Sequence, residues 1–510
     1  MTLPDCTLAV LRRRRTLPNA RRAAALDALL VITLPDDAAF LQRLPEAGRW
    51  QGLQRRQRPV ACSSRCTTLS NDRQTLAQLA YVKPGMSGFE RLSLAGKLLR
   101  EIAARKPGVI GILVNDALSD AAQWYEALLT AAWTASFALP VYRSRRDQPW
   151  RLQALELYAA PALDLDRIAA SARAGNLVRA LTALPPNKLD AGAYRRLLQQ
   201  LARRHRLRLR WYSLAQLQRL GAGAFLAVAR GNAARTAGIA RLSWRGRGSG
   251  SRQRARAPEV ALVGKGILFD TGGINLKPHR SMLDMHTDMA GSAVALASLV
   301  ALAELRAPIA ADAWLAISEN NIGPNAYRPQ EVVRASNGTT IQVIHTDAEG
   351  RMVLADTLAL AARTQPRLTI DFATLTGACV YALTERYSGV FTNRPQLAAA
   401  LVAAGARSGE RVWHFPLDDD FDSDLESPIA DIMQCSADGK GDHILAARFL
   451  KRFIGDANPW VHVDLSSATR RGGLAHVGTE ITGFGVRFTL ELLLTHKLHQ
   501  GKSLRQAPPA

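Results

Sequence analysis

The chain has 510 residues, more than the roughly 250–300 that one hydrophobic core supports, so two domains are expected. Hydrophobic residues make up 47% and charged residues 21%, which excludes a collagen-like, disordered or disulfide-stapled chain. The formal net charge is +23, from 66 Lys+Arg (only ten of them Lys) against 43 Asp+Glu. That balance favours acidic partners such as nucleic acid or anionic surfaces and says nothing about fold.

In chain order, Ala28–Leu34, Gly108–Val114 and Phe137–Tyr142 read as short buried strands, and residues 89–104 and 118–136 carry apolar positions at helical spacing. This alternation predicts a small α/β domain over residues 1–165. Asp166 is placed to cap a connecting helix over residues 166–184, which Pro185 and Pro186 stop. A second α/β domain follows over residues 185–510, with strands near Val260–Val263, Ala313–Ile317, Ile341–Ile344, Leu368–Phe372 and Val461–Asp464. The expected fold is thus two α/β domains joined by a helix, the C-terminal one built on a central, mostly parallel or mixed sheet flanked by helices. Arg245–Arg256, rich in Arg, Gly and Ser, reads as a mobile surface loop.

The charge is unevenly spread. Residues 1–190 carry +11, residues 191–258 hold sixteen arginines and no acid, and residues 259–510 carry −4. Five scattered cysteines, Cys6, Cys62, Cys66, Cys379 and Cys435, build no disulfide framework. The most apolar stretch, Gly291–Ala303, falls short of the roughly 20 residues of a membrane span. Arg12–Arg15 are not followed by a signal-peptide core. The expectation is a cytoplasmic protein with no membrane partner.

Two regions concentrate carboxylates after apolar strands, where open α/β sheets bind ligands. One is Val263–Pro278 (VGKGILFDTGGINLKP) with Asp288 beyond it; the other is His345–Arg351 (HTDAEGR). Asp347 and Glu349, two apart in a segment expected to be extended, would point to one side. Asp270, Asp288, Asp347 and Glu349 brought together without cations would repel and raise one another's pKa, whereas two divalent cations bridged by shared carboxylates resolve the conflict. Such a pair polarises a carbonyl and makes a nucleophile of water near neutral pH. Lys265 and Lys277 are conspicuous in so lysine-poor a chain: one amine is suited to ligate and a second, charged one to stabilise an oxyanion, while Arg351 adds a cationic edge. Rival motifs fail. Phe269 stands where a dinucleotide loop needs its third glycine, neither Gly-Lys pair continues into Ser or Thr as a phosphate loop requires, and no Gly-x-Ser-x-Gly elbow occurs.

These motifs, with Thr374–Ala378 (TLTGA), Leu181–Asn187 and Ala326–Pro329, resemble the leucine aminopeptidase, or cytosol aminopeptidase, family of dinuclear metallo-exopeptidases over about residues 183–495. The resemblance implies that Asp270 and Glu349 bridge two metals, Zn²⁺ or Mn²⁺. Lys265 and Asp288 would complete the tighter site and Asp347 the looser one. Lys277 would stabilise the oxyanion, and Arg351 would hold a bicarbonate ion acting as general base. Met285, Thr374 and Gly377 would line the substrate pocket, with the Leu375 carbonyl near the substrate. It implies peptide substrates, release of their N-terminal residues and a hexameric assembly. The chain departs from the family pattern at His345, where Asn is usual, and at Thr271, where Ser is usual. An alternative reading is a DNA-binding regulator on an aminopeptidase scaffold, using the arginines of residues 191–258 as its nucleic-acid surface.

Overall fold

The computed structural model describes residues 3–35, 37–56, 59–144, 148–246 and 257–501. Two compact units share the chain. One comprises Cys6–Asn176 together with Arg471–Glu480; the other is built on Leu177–Arg470 and resumes at Ile481. The division falls inside the helix Leu165–Thr182.

The first unit holds a six-stranded sheet in the order β1-β6-β5-β2-β4-β3. Its strands are β1 (Val10–Arg14), β2 (Ala28–Thr33), β3 (Ser64–Thr68), β4 (Leu76–Tyr81), β5 (Val109–Val114) and β6 (Ala154–Tyr158). All neighbours run parallel except β3, antiparallel on the β4 edge. Every residue of β2 and β4 is buried, as expected of parallel strands covered on both faces. The helix Gly88–Ala103 starts from a reciprocal Ser87–Glu90 capping box and packs with Ala121–Ala135 against this sheet.

The second unit holds an eight-stranded mixed sheet, order β15-β14-β17-β13-β9-β10-β8-β7, and a small three-stranded sheet, order β11-β12-β16. The strands are β7 (Arg208–Ser213), β8 (Gly238–Trp244), β9 (Val260–Asp270), β10 (Ala311–Asn320), β11 (Val332–Arg334), β12 (Thr340–Gln342), β13 (Leu368–Ala373), β14 (Ser388–Thr392), β15 (Val412–His414), β16 (Ile432–Met433) and β17 (Trp460–Asp464). The central β10, β9, β13 and β17 are parallel. The helix Ala290–Glu304 is apolar on all sides because it is enclosed in this core. It lies close on the sheet: a Cβ on Gly264 would come 2.5 Å from Gly291 O, and one on Gly291 would come 2.1 Å from Phe372 O. The longer run His279–Glu304, apolar enough by composition to cross a bilayer, is mostly buried in the protein's own core.

Several expectations change. Phe137–Tyr142 forms no strand: Pro140 has no N–H for a ladder and Val141 and Tyr142 are exposed, so β6 takes the sheet position beside β5 instead. Asp164, not Asp166, caps the connecting helix, its carboxylate accepting the Arg167 N–H at 3.0 Å. Ile341–Ile344 is reduced to Thr340–Gln342. Arg471–Glu480, expected within the second domain, belongs to the first unit. Most of Arg245–Arg256 lies outside the described residues.

The acid-free stretch finds its carboxylates elsewhere in the sequence. Arg241 and Arg245 both meet the fully buried Asp312, Arg230 meets Glu331, and Arg195 and Arg210 stack over Trp211 and Tyr212.

Candidate metal centre

The central strands deliver their charged residues to one end of the sheet. Lys265 and Asp270 come from β9, and Asp288 follows the short turn Met285–Thr287 that leads into the buried helix. Asp347 lies in the loop after β12. Glu349 is already the first residue of the helix Glu349–Ala362, not part of an extended segment; the turn into that helix, rather than strand alternation, aims it at Asp347. Asp270, Asp347 and Glu349 each offer a carboxylate oxygen within 4.8 Å of the others.

The two lysines thread between these acids. Lys265 Nζ stands 2.8 Å from Asp288, 2.9 Å from Glu349 and donates to Thr374 O at 3.0 Å. Lys277 Nζ lies 3.0 Å from Asp270 and 2.5 Å from Asp347. Gly350 makes room for this packing, since a Cβ there would lie 2.6 Å from Lys265 Nζ.

Four carboxylates against two ammonium groups leave the cluster two charges negative. Burial, then the charge of Asp270, pushes the Glu349 carboxyl well above its ordinary range. The Asp288 carboxyl is pushed up to about 6, burial outweighing the opposing Lys265 charge, and Asp347 is raised by burial and by Asp270. Burial opposes the Lys265 ammonium, yet Asp288, Glu349 and Asp270 together hold its pKa above normal. Glu349 Oε2 is buried with no hydrogen-bond partner. A set of hard oxygen donors with unmet negative charge and an orphaned buried oxygen fits divalent cations.

Asn320, Tyr327 and Asp464, given no role in the sequence analysis, help to hold these carboxylates and their loops in place. Asn320 Nδ2 and the Gly272 N–H both donate to Asp270 Oδ1 at 2.8 Å, leaving Oδ2 for the cluster. A register irregularity between Ser318 and Asn320 sets Asn320 opposite Asp270. Asn320 and the Tyr327 hydroxyl donate to Thr346 O, while Thr346 Oγ1 donates to Gly272 O, tying together the loops that carry Asp270 and Asp347. Thr374 Oγ1 donates to Asp288 at 2.8 Å. Asp464 accepts the Leu375 N–H at 3.1 Å and the Thr376 hydroxyl at 2.6 Å, fixing the loop after β13. Met285 is half-buried in its turn, and Gly377 is exposed at the start of the helix Gly377–Leu383. His345 Nδ1 accepts the Asp347 N–H at 3.2 Å.

Arg351 is held by partners distant in the sequence. Its guanidinium, 2% exposed, donates through Nη2 to both oxygens of Asp442, at 2.7 and 2.8 Å, and through Nη1 to Gln434 O at 3.2 Å. Arg351 Nε is buried without a hydrogen-bond partner.

The model of the cytosol aminopeptidase family catalytic domain matches residues 176–490. The chain belongs to the cytosol aminopeptidase family. Within that family, it is 38% identical over 416 residues to a probable cytosol aminopeptidase of Syntrophotalea carbinolica, covering 79% of each chain. It is 33% identical over 417 residues to one from Wolbachia pipientis wMel, covering 79% of this chain and 80% of that one. Among solved structures it resembles the bottromycin maturation enzyme BotP in complex with Mn, with a TM-score of 0.79 and 29% identity, covering 93% of this chain and all of that one. As a cytosol aminopeptidase family member, the protein is a metal-dependent hydrolase of leucyl aminopeptidase type that acts on peptides.

Proposed function

We propose that Asp270, Asp288, Asp347, Glu349 and Lys265 hold two divalent cations, Zn²⁺ or Mn²⁺, and that the enzyme releases N-terminal amino acids from peptides in the cytoplasm as a hexamer. In this reading Asp270 and Glu349 would serve both cations, Lys265 and Asp288 would complete the tighter site, and Asp347 would complete the looser one. The chemistry is assigned to residues 185–510, with 1–165 and the connecting helix outside it. The observation that carries the proposal is the two-charge deficit of the cluster, with Glu349 Oε2 unsatisfied and three carboxyls held above their ordinary range.

When bound, the cations supply Lewis acidity for the scissile carbonyl and acidify water. The protein supplies the rest. Lys265 would hold a cation through a neutral amine, giving up its proton once cation charge replaced its own among the acids. Lys277, charged and 14% exposed, would donate from Nζ to the carbonyl oxygen as negative charge develops there. Thr374 keeps Asp288 oriented, and the Leu375 carbonyl accepts from the substrate's amine, its peptide held by Asp464. Met285, Thr374 and Gly377 line the space for the first side chain.

Purified protein supplied with Mn²⁺ or Zn²⁺ is expected to hydrolyse a panel of aminoacyl-amides and to lose this turnover on chelation. Inertness towards the whole panel in either metal would refute the proposal.

A further inference from the structure

We infer that His462 is a positioning residue of this enzyme: anchored by Asp371, it holds the Asp464 carboxylate that carries residues 375–377, the segment that seats the substrate's first residue. The inference rests on the aminopeptidase reading of the neighbouring cluster.

Three observations converge. The first is the path. Thr374 is fixed at the cluster, its carbonyl accepting from Lys265 and its hydroxyl donating to Asp288. The residues after it hang instead from Asp464, which accepts the Leu375 N–H at 3.1 Å and the Thr376 hydroxyl at 2.6 Å. Thr376 Oγ1 in turn accepts the Cys379 N–H at 3.2 Å and caps the helix Gly377–Leu383.

The second is register. The parallel neighbours β13 and β17 set Asp371 opposite His462 and Ala373 opposite Asp464. His462 and Asp464, two apart on β17, therefore share one face of the sheet. Asp371 Oδ1 lies 2.7 Å from His462 Nδ1, and Asp371 Oδ2 accepts the Trp460 Nε1–H at 2.6 Å. The His462 ring also lies against Trp460 and Phe391, with ring centroids 6.1 and 5.8 Å away.

The third is charge. His462 and Asp371 are both fully buried, and His462 Nε2 has no hydrogen-bond partner among the described residues. A buried ion pair with an unmet nitrogen is a poor source of stability, so its place here is explained by what it positions. Burial opposes the imidazolium, yet Asp371 and then Asp464 hold its pKa above the ordinary value. Burial likewise pushes the Asp464 carboxyl up, and the His462 charge is the first force against that rise. An ionised Asp464 accepts the Leu375 and Thr376 hydrogen bonds more strongly than a neutral one. The charge on His462 thereby fixes the segment whose Leu375 carbonyl meets the substrate's amine.

The test uses the full chain with its metals, as wild type, His462→Gln, Asp464→Asn and the double variant. KM and kcat for leucine amide are measured, and hydrogen–deuterium exchange is followed separately in the chelator-treated proteins. His462→Gln should raise KM by about 10- to 100-fold while kcat stays within about threefold of wild type. In the Asp464→Asn background the same substitution should change KM by no more than about twofold, because no charge is left there for His462 to hold. Exchange in His462→Gln should quicken over residues 375–383, while the helix Ala290–Glu304 keeps its protection.

A role in stability alone gives the opposite pattern: faster exchange throughout, lower melting, and KM within about twofold of wild type. That pattern would overturn the inference, as would KM effects of the two single substitutions that simply multiply in the double variant. Should His462→Gln fail to fold, Asp371→Asn carries the same expectation, since it keeps the shape and removes the charge that anchors the imidazole. Failure of both to fold would assign the pair to stability and likewise overturn the inference. An inert wild type would instead break the aminopeptidase reading, and the exchange measurement would still decide the role of His462.

Discussion

Each unit buries carboxylates at the parallel strands of its sheet, and the two treat them in opposite ways. In the N-terminal unit, Glu156 on β6 accepts from Arg14 at 2.9 Å, from Tyr158 at 2.9 Å and from Arg12 at 3.4 Å. The Arg14 hydrogen bond, against the cost of burial, holds its carboxyl below the ordinary range. In the catalytic unit, four carboxylates share two lysines, and Asp288, Asp347 and Glu349 are all displaced upward. The shifts are opposite because the leading cause differs: burial comes first for the three cluster acids, with the charge of Asp270 adding to it, whereas at Glu156 the Arg14 hydrogen bond outweighs burial. A carboxylate matched to its own cation is structural, and a deeply buried cluster left two charges short is a place for cations.

The sharpest way to break this contrast is to neutralise one acid in each unit. Glu349→Gln should cost more than about 10²-fold in turnover, beyond the effect of losing a partner outside the ligand set. The metal-free variant should nevertheless melt higher than metal-free wild type, because a buried charge without a full complement of partners has been removed. Glu156→Gln should do the reverse, leaving turnover unchanged and destabilising by about 1–3 kcal/mol, the scale of a hydrogen bond to a charged group. Calorimetry beside an amide assay reads both; equal effects of the two substitutions on melting would erase the distinction.

A smaller effect separates burial from charge crowding. Glu410 lies in the catalytic unit outside the cluster, accepts the Gly485 and Phe488 N–H groups, and is pushed up to about 7 chiefly by burial. Its folded-state value exceeds the ordinary 4.5, so the folded protein retains a proton that the unfolded chain releases. Stability from this group is therefore full at low pH and declines as pH rises from about 4.5 through about 7. Glu410→Gln should flatten that decline in melting temperature between about pH 5 and pH 8 without altering turnover. An unchanged slope would mean that other buried acids, such as Asp288, dominate it.

The catalytic half of the chain was the more legible. The acids, Lys265 and Lys277 lie in short motifs after apolar strands, where local chemistry alone marks them. What the motifs lacked was whatever tertiary packing supplies from afar. Asn320 reaches Asp270 through a shift in strand register, Asp464 orders the Leu375 loop from β17, and Asp442 meets Arg351 across ninety-one positions. None of these is distinguishable in the sequence from an ordinary surface or capping residue. The same limit explains the arginine stretch: Arg241 and Arg245 read as free charge until Asp312, on the adjacent β10, is folded against them. In the N-terminal half, Phe137–Tyr142 had the composition of a strand, and only Pro140 hinted otherwise.

The central claim, that the cluster lacks the charge of two cations, is tested most directly by titrating the chelator-treated full-length protein with Mn²⁺ in a calorimeter. Two ions per chain are expected for wild type, and one, the tighter, for Asp347→Ala. Binding at background level, or two ions still bound after Asp347→Ala, would contradict the account.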